Sequence, residues 1–173
     1  MKQASAFTPL HVALLTISDT RDDATDTSGQ YLIEQLEENQ HHVEEKNIVR
    51  DNIYDIRALV SNWIANPQVQ VVITNGGTGL TGRDGTPEAI APLLDKTIEG
   101  FGEMFRAISI EEIGTSSLQS RALAGIANGT IIFCLPGSTN ACETAWTNII
   151  SKQLDSRTRP CNLVQLIPRF NEK

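Results

Sequence analysis

The chain has 173 residues, 40% hydrophobic and 20% charged, with a formal net charge of −7. That length suits one domain with a full core, and no apolar run approaches the ~18 residues a membrane span requires. The acidic balance, without a basic cluster or interleaved aromatics, argues against nucleic acid as a partner.

An acidic protein can still hold an anion through backbone amides, helix N-termini and a cation carried by carboxylates. Cys134, Cys142 and Cys161 are odd in number and form no CxxC, so neither a disulfide framework nor a zinc site is indicated. His11, His41 and His42 show no metal-ligand spacing. The opening MKQASAFTPL lacks the long apolar region of a secretory signal, so a cytoplasmic location is expected.

Residues 1–9 read as an N-terminal arm. His11–Ser18, HVALLTIS, is a buried strand followed by the polar loop Ser18–Asp23. Thr27 or Ser28 can cap a helix through about Asn39, with Tyr31, Leu32 and Leu36 on its apolar face. Val43–Val49 alternates imperfectly and carries charges, which suits an edge strand. A helix follows over Tyr54–Asn66, with Ile56, Leu59, Val60, Trp63 and Ile64 at i, i+3, i+4, i+7 and i+8.

The strand beginning at Val69 is short, β-branched and almost wholly apolar, as in a parallel sheet buried on both faces. It breaks into Asn75-Gly76-Gly77-Thr78-Gly79, where glycine admits positive φ and the close approach of a ligand. Successive amides in such a turn can form an anion-binding concavity. Arg83 and Asp84 follow. Thr86-Pro87-Glu88 reads as a helix start, with Thr86 as cap. The loop lacks the Gly-Lys-Ser/Thr ending of a Walker loop. Its literal GxGxxG is not followed by the immediate helix and next strand of a dinucleotide fold.

Thr86–Leu94 and Gly102–Glu112 are expected helices. Phe101, Met104, Phe105, Ile108 and Ile113 suit a core or an oligomer contact. Ser116–Arg121 is a short polar helix or turn. Asn128-Gly129 between apolar runs is a hairpin signal, so Arg121–Ile126 should run antiparallel to Thr130–Leu135. Ser138 caps a final helix to about Leu154, and residues 155–173 form an extended C-terminal arm. The pattern predicts a three-layer α/β/α fold in one domain over residues 1–173. Its sheet is mostly parallel and five-stranded, with one antiparallel strand.

In such open sheets ligands bind beyond the carboxyl ends of the strands. That rule gathers Ser18, Asp51, Gly76, Gly77, Thr78, Gly79, Asp84, Gly137 and Ser138 at one mouth. Asp51 and Asp84 come from different loops, as in magnesium sites that combine one or two carboxylates with substrate phosphates. Each could also be a helix cap or a solvated loop end, a reading that competes more strongly for Asp51 than for Asp84. No Ser/His/Asp or Cys/His set falls in these loops.

The sequence resembles the molybdenum-cofactor biosynthesis family of the MoaB/MogA type, the molybdopterin adenylyltransferases, related to the G domains of gephyrin and the plant cofactor-insertion protein. The resemblance runs from about His11 to Pro160. It is carried by LLTISD at Leu14–Asp19, TNGGTGLTGRDGTPEA at Thr74–Ala89, GFGEMFR at Gly100–Arg106, SLQSRALAG at Ser117–Gly125 and LPGST at Leu135–Thr139. EEIGTSSLQSRA is most similar to the bacterial MoaB branch.

The resemblance implies a molybdopterin-binding fold, trimeric or hexameric, that adenylylates molybdopterin with Mg·ATP and releases pyrophosphate. It ties Asp51 and Asp84 to magnesium and catalysis, and Gly76–Gly79 to phosphate. Ser120-Arg121 and Pro136-Gly137-Ser138 match stretches near the pterin and nucleotide pocket. Other proteins of the pathway are implied partners. The alternative is a non-catalytic molybdopterin-binding or carrier protein of the same pathway.

Overall fold

The computed structural model describes residues 6–172; residues 1–5 of the expected arm, and residue 173, lie outside the described residues. The strands are β1 (His11–Ile17), β2 (His42–Val49), β3 (Val71–Asn75), β4 (Lys96–Thr97), β5 (Leu123–Ala127) and β6 (Thr130–Leu135). They form one sheet in the order β2-β1-β3-β6-β5-β4. The first four run parallel. β5 is antiparallel to both β6 and β4.

Helices cover both faces because each strand alternates its side chains between them. Val12 and Leu14 of β1 join Val71, Ile73 and Phe133 in one core, against Leu32 and Leu36 of α1 (Thr27–Glu38), Phe101 and Phe105 of α4 (Glu99–Ile113) and Trp146. Ala13, Leu15 and Ile17 join Val72, Ile132 and Cys134 in the other, against Ile56, Val60 and Trp63 of α2 (Ile53–Ala65) and Ala89 and Ile90 of α3 (Thr86–Ile90). Burying each of the Val, Leu, Ile and Phe side chains among them contributes about 1.5–3 kcal/mol.

The three-layer architecture and the antiparallel β5 agree with the sequence pattern. The sheet has six strands rather than five. β4 is only two residues long, polar and exposed, so it carries no hydrophobic period; its pairing with Ile126 and Gly125 decides it.

The helix termini also differ. Asp26, not Thr27 or Ser28, caps α1, accepting from the Gly29 amide at 2.9 Å. Thr86 lies inside α3, and its hydroxyl donates to Gly76 O at 2.8 Å, tying the helix start to the glycine loop. The last long helix, α5 (Thr139–Ala145), is capped by Ser138 as expected. It continues through a π-helical turn, Trp146–Ile150, into Ser151–Gln153. The C-terminal arm is not wholly extended: Val164–Arg169 forms a 3₁₀ helix with Val164 buried against the first core. The Ser156 hydroxyl binds both ends of the described N-terminal segment, donating to Ala6 O at 2.8 Å and accepting from the Thr8 amide at 3.0 Å.

Candidate active site

Register brings the strand ends together. Thr16 is level with Asn75 and Asn75 with Leu135, so the loops after β1, β3 and β6 leave the sheet side by side. They open onto a cavity of about 440 Å³. Ser18, Gly76, Gly77, Thr78, Gly79, Asp84, Ser120, Pro136, Gly137 and Ser138 all line it.

The loop conformation needs glycine at two positions. Gly76 has φ +103°, and a Cβ there would lie 2.1 Å from Ile17 O. Gly77 has φ +65°, and a Cβ there would lie 2.4 Å from Thr86 Oγ1 and 2.5 Å from Asp51 Oδ2. The Gly76 amide continues the sheet by donating to Leu135 O at 3.0 Å. Among the described residues the Gly77 and Thr78 amides have no acceptor, which leaves two N–H groups for an anion.

Asp51 and Arg121 fall behind this surface rather than in the cavity lining. Asp51 accepts from the Gly85 amide at 3.1 Å and lies beneath Gly77. Burial pushes its carboxyl above the ordinary range; the Gly85 hydrogen bond opposes this, and the charges of Asp84 and Asp19 add to it. Asp84 is held differently. The Thr81 hydroxyl and amide donate to its Oδ2 at 2.7 and 2.8 Å. The hydroxyl bond leads in holding that carboxyl below the ordinary range.

Arg121 braces the loop from outside, donating to Gly79 O at 2.8 Å and Asp84 O at 3.0 Å and pairing with Glu88. Arg83 pairs with Asp19. The two loop cations are therefore engaged, while Asp51 sits in a partly buried surround with the carboxylates of Asp84 and Asp19 nearby. That surround fits a cation. Among the described residues no three His, Cys, Asp or Glu side chains converge on a metal position. A magnesium ion here would need substrate oxygens beside Asp51 and Asp84.

The cavity has a second wall that strand-end reasoning does not reach. Phe105, Ser109, Glu112 and Ile113 line it from one face of α4, and Asn140, Ala141 and Thr144 from α5. The i, i+4, i+7, i+8 spacing on α4 is the signal that could have found that face. Arg21, in the loop after β1, is the one basic side chain in the lining among the described residues. Its Nη1 donates to Ser28 Oγ at 2.7 Å, and Ser28 Oγ donates to Gly137 O at 2.7 Å.

Asn75 is fully buried at the cavity floor, donating to Thr16 Oγ1 at 3.0 Å, and Thr16 donates to Asp26 at 2.7 Å. Asn75 Oδ1 and Ser120 Oγ are buried without a hydrogen-bond partner, and both residues line the cavity. Orphaned buried polar atoms are costly, and two at one cavity mark a place for a polar ligand.

A mostly parallel α/β sheet with a glycine loop at its strand ends and a cavity beyond them places the chain in the open α/β class, whose ligands bind outside the carboxyl ends of the strands. The family model described as "Probable molybdopterin binding domain" matches residues 13–156. The chain belongs to this molybdopterin-binding family, and within it to the bacterial MoaB branch of molybdenum-cofactor biosynthesis proteins. It is 60% identical over 163 residues to molybdenum cofactor biosynthesis protein B of Escherichia coli K12, covering 94% of this chain and 96% of that protein. A crystal structure of a molybdenum cofactor biosynthesis protein B superposes with TM-score 0.84 at 44% identity, over 87% of this chain and 94% of that one. The tungsten cofactor synthesizing protein MoaB of Pyrococcus furiosus superposes with TM-score 0.75 at 38% identity, over 85% and 94%. No helix among the described residues is long and apolar enough to cross a membrane.

Proposed function

We propose that this chain, as one molybdopterin-binding domain, adenylylates molybdopterin in the cytoplasm with Mg·ATP as the second substrate. An oxygen of the pterin's terminal phosphate attacks the α-phosphorus of ATP, the bond to the β-phosphate oxygen breaks, and pyrophosphate leaves. The observation that carries the reading is the juxtaposition of the free Gly77 and Thr78 amides with Asp84 in one cavity, with Asp51 beneath Gly77.

The amides would bind and orient a phosphate, as loop amides do where catalysis is chiefly positioning and charge stabilisation. Asp51 and Asp84 would hold magnesium together with the substrate phosphates, and the bound ion would neutralise charge developing on the leaving pyrophosphate. Ser18, Gly76, Gly79, Ser120, Pro136, Gly137 and Ser138 shape the walls around both substrates. Arg121 holds the loop in place from behind.

One observation favours the second reading, a non-catalytic molybdopterin carrier. Each carboxylate already accepts a hydrogen bond from the loop after β3, Asp51 from Gly85 and Asp84 from Thr81, as a purely structural cap would. The deciding assay mixes protein, molybdopterin, ATP and magnesium and follows adenylylated molybdopterin. We expect magnesium-dependent product that falls about a thousandfold or more in Asp84→Asn and in Asp51→Asn, a loss on the order of 4 kcal/mol in transition-state stabilisation. Tight molybdopterin binding with no product would establish the carrier.

The exposed Met104, Ile110, Ile113 and Leu118, on α4 and the turn after it, support assembly into a trimer or hexamer. The same face could instead meet another protein of the pathway.

A further inference from the structure

The cavity lining holds two carboxylates, and only Asp84 belongs to the glycine loop. The other, Glu112, stands near the C-terminal end of α4. Its partners are neutral and come from α5: Thr144 Oγ1 lies 3.1 and 3.0 Å from its two oxygens, and Asn140 Nδ2 donates to Oε2 at 3.0 Å. Thr144 has one proton to share between the two oxygens and Asn140 gives one more. A carboxylate offers about four acceptor positions, so about two remain open. Among the described residues Glu112 has no cationic partner.

We infer that Glu112 is a specificity-determining residue that reads the ring of the substrate, accepting hydrogen bonds from the adjacent 2-amino and N3–H donors of a pterin. The inference rests on the molybdopterin reading above and extends it to one edge of the molecule. Three features of the wall carry it. The pterin edge presents two parallel N–H donors, as a guanidinium does, and a carboxylate meets such a pair in a two-pronged contact. Phe105, buried on the same face of α4, and Ile113 beside Glu112 supply apolar surface for a flat ring. The charge of Glu112 also disfavours a phosphate at this wall, so the anion is directed to the glycine loop and the ring to α4. Adenine fits less well, since its N1 acceptor lies next to its amino group and would face the carboxylate.

The test is calorimetry on the full chain with 6-hydroxymethylpterin monophosphate and the corresponding lumazine, in which the 2-amino group is replaced by oxygen. A molybdopterin titration of the wild type is run alongside. The wild type should prefer the pterin by about ten- to hundredfold, the scale of one hydrogen bond to a charged acceptor. Glu112→Gln should bring that ratio near one while still binding both phosphates. Equal wild-type affinity for the two probes overturns the inference without any variant, as does a Glu112→Gln protein that keeps the preference. If the wild type fails to bind molybdopterin at all, the functional reading falls and takes this inference with it. Binding of molybdopterin without pterin discrimination removes the role of Glu112 alone.

Discussion

The two walls of the cavity are built by different means. The glycine-loop wall is made of backbone. Its shape comes from the positive φ of Gly76 and Gly77 and from donors that anchor its carbonyls, Thr86 at Gly76 O and Arg121 at Gly79 O. The helical wall is made of side chains, Phe105, Ser109, Glu112 and Ile113 from α4 facing Asn140 and Thr144 from α5. A backbone wall tolerates almost no change at its turn, because a single Cβ collides with main chain or with the carboxylate of Asp51. A side-chain wall can change residue by residue and keep its fold. The first suits a part of the ligand that does not vary, the second a part that must be told from its analogues.

The sharpest way to break the contrast is Gly77→Ala. The new Cβ would meet Thr86 Oγ1 and Asp51 Oδ2 at φ +65°, so the loop must move. We expect a loss of stability of about 1–3 kcal/mol by chemical denaturation. The adenylyl-transfer assay should fall about a hundredfold, the scale of a misplacement near 1 Å. Retained turnover at full stability would mean that the loop backbone is not the rigid wall described.

A smaller effect is expected when the brace is removed and the turn left alone. Arg121→Met deletes the bonds to Gly79 O and Asp84 O and the pair with Glu88. A cost of about 2 kcal/mol is expected for the charged hydrogen bonds, or roughly 4–8 °C in thermal melting. Turnover should fall less than in Gly77→Ala, since the glycines keep their conformation.

The smallest effect on either wall comes from a group outside both. His41 is buried, and its Nδ1 accepts from the Leu10 amide at 3.2 Å. Burial lowers its pKa from 6.5 to about 4. Between those values the unfolded chain binds more protons than the folded one, so stability falls as pH drops from 6.5 toward about 4. Denaturation midpoints measured across that window should fall in the wild type and flatten in His41→Gln. Pterin binding by the folded protein should differ little between the two.

Much of the backbone wall was legible in the sequence. Residues 75–79 carry their requirement in composition, because glycine is what positive φ and close approach demand. The strands before them carry theirs in β-branched, apolar runs. Ser138 as a cap and Asn128-Gly129 as a hairpin were readable for the same local reason. The helical wall was not legible. α4 is amphipathic, and sequence alone cannot divide its residues between core, cavity and solvent. Phe105 and Ile113 read as core or oligomer contact, and Glu112 only as the end of a helix. The strand-end rule puts Asp51 at the mouth and the family resemblance puts Arg121 near the pocket; the structure sets both just behind the cavity lining, where each is hydrogen-bonded to the loop after β3.

What the sequence by itself determined is the alternation of strands and helices, the glycine turn and the pair of carboxylates near it. These follow from residue conformational preference and hydrophobic period, both local properties. Tertiary structure alone decided that Asn75 and Ser120 are left with unpartnered polar atoms at one cavity, that two polar residues become the sixth strand, and that Glu112 of α4 meets Thr144 of α5. Those depend on which surfaces pack together across distant segments, and no local preference records that.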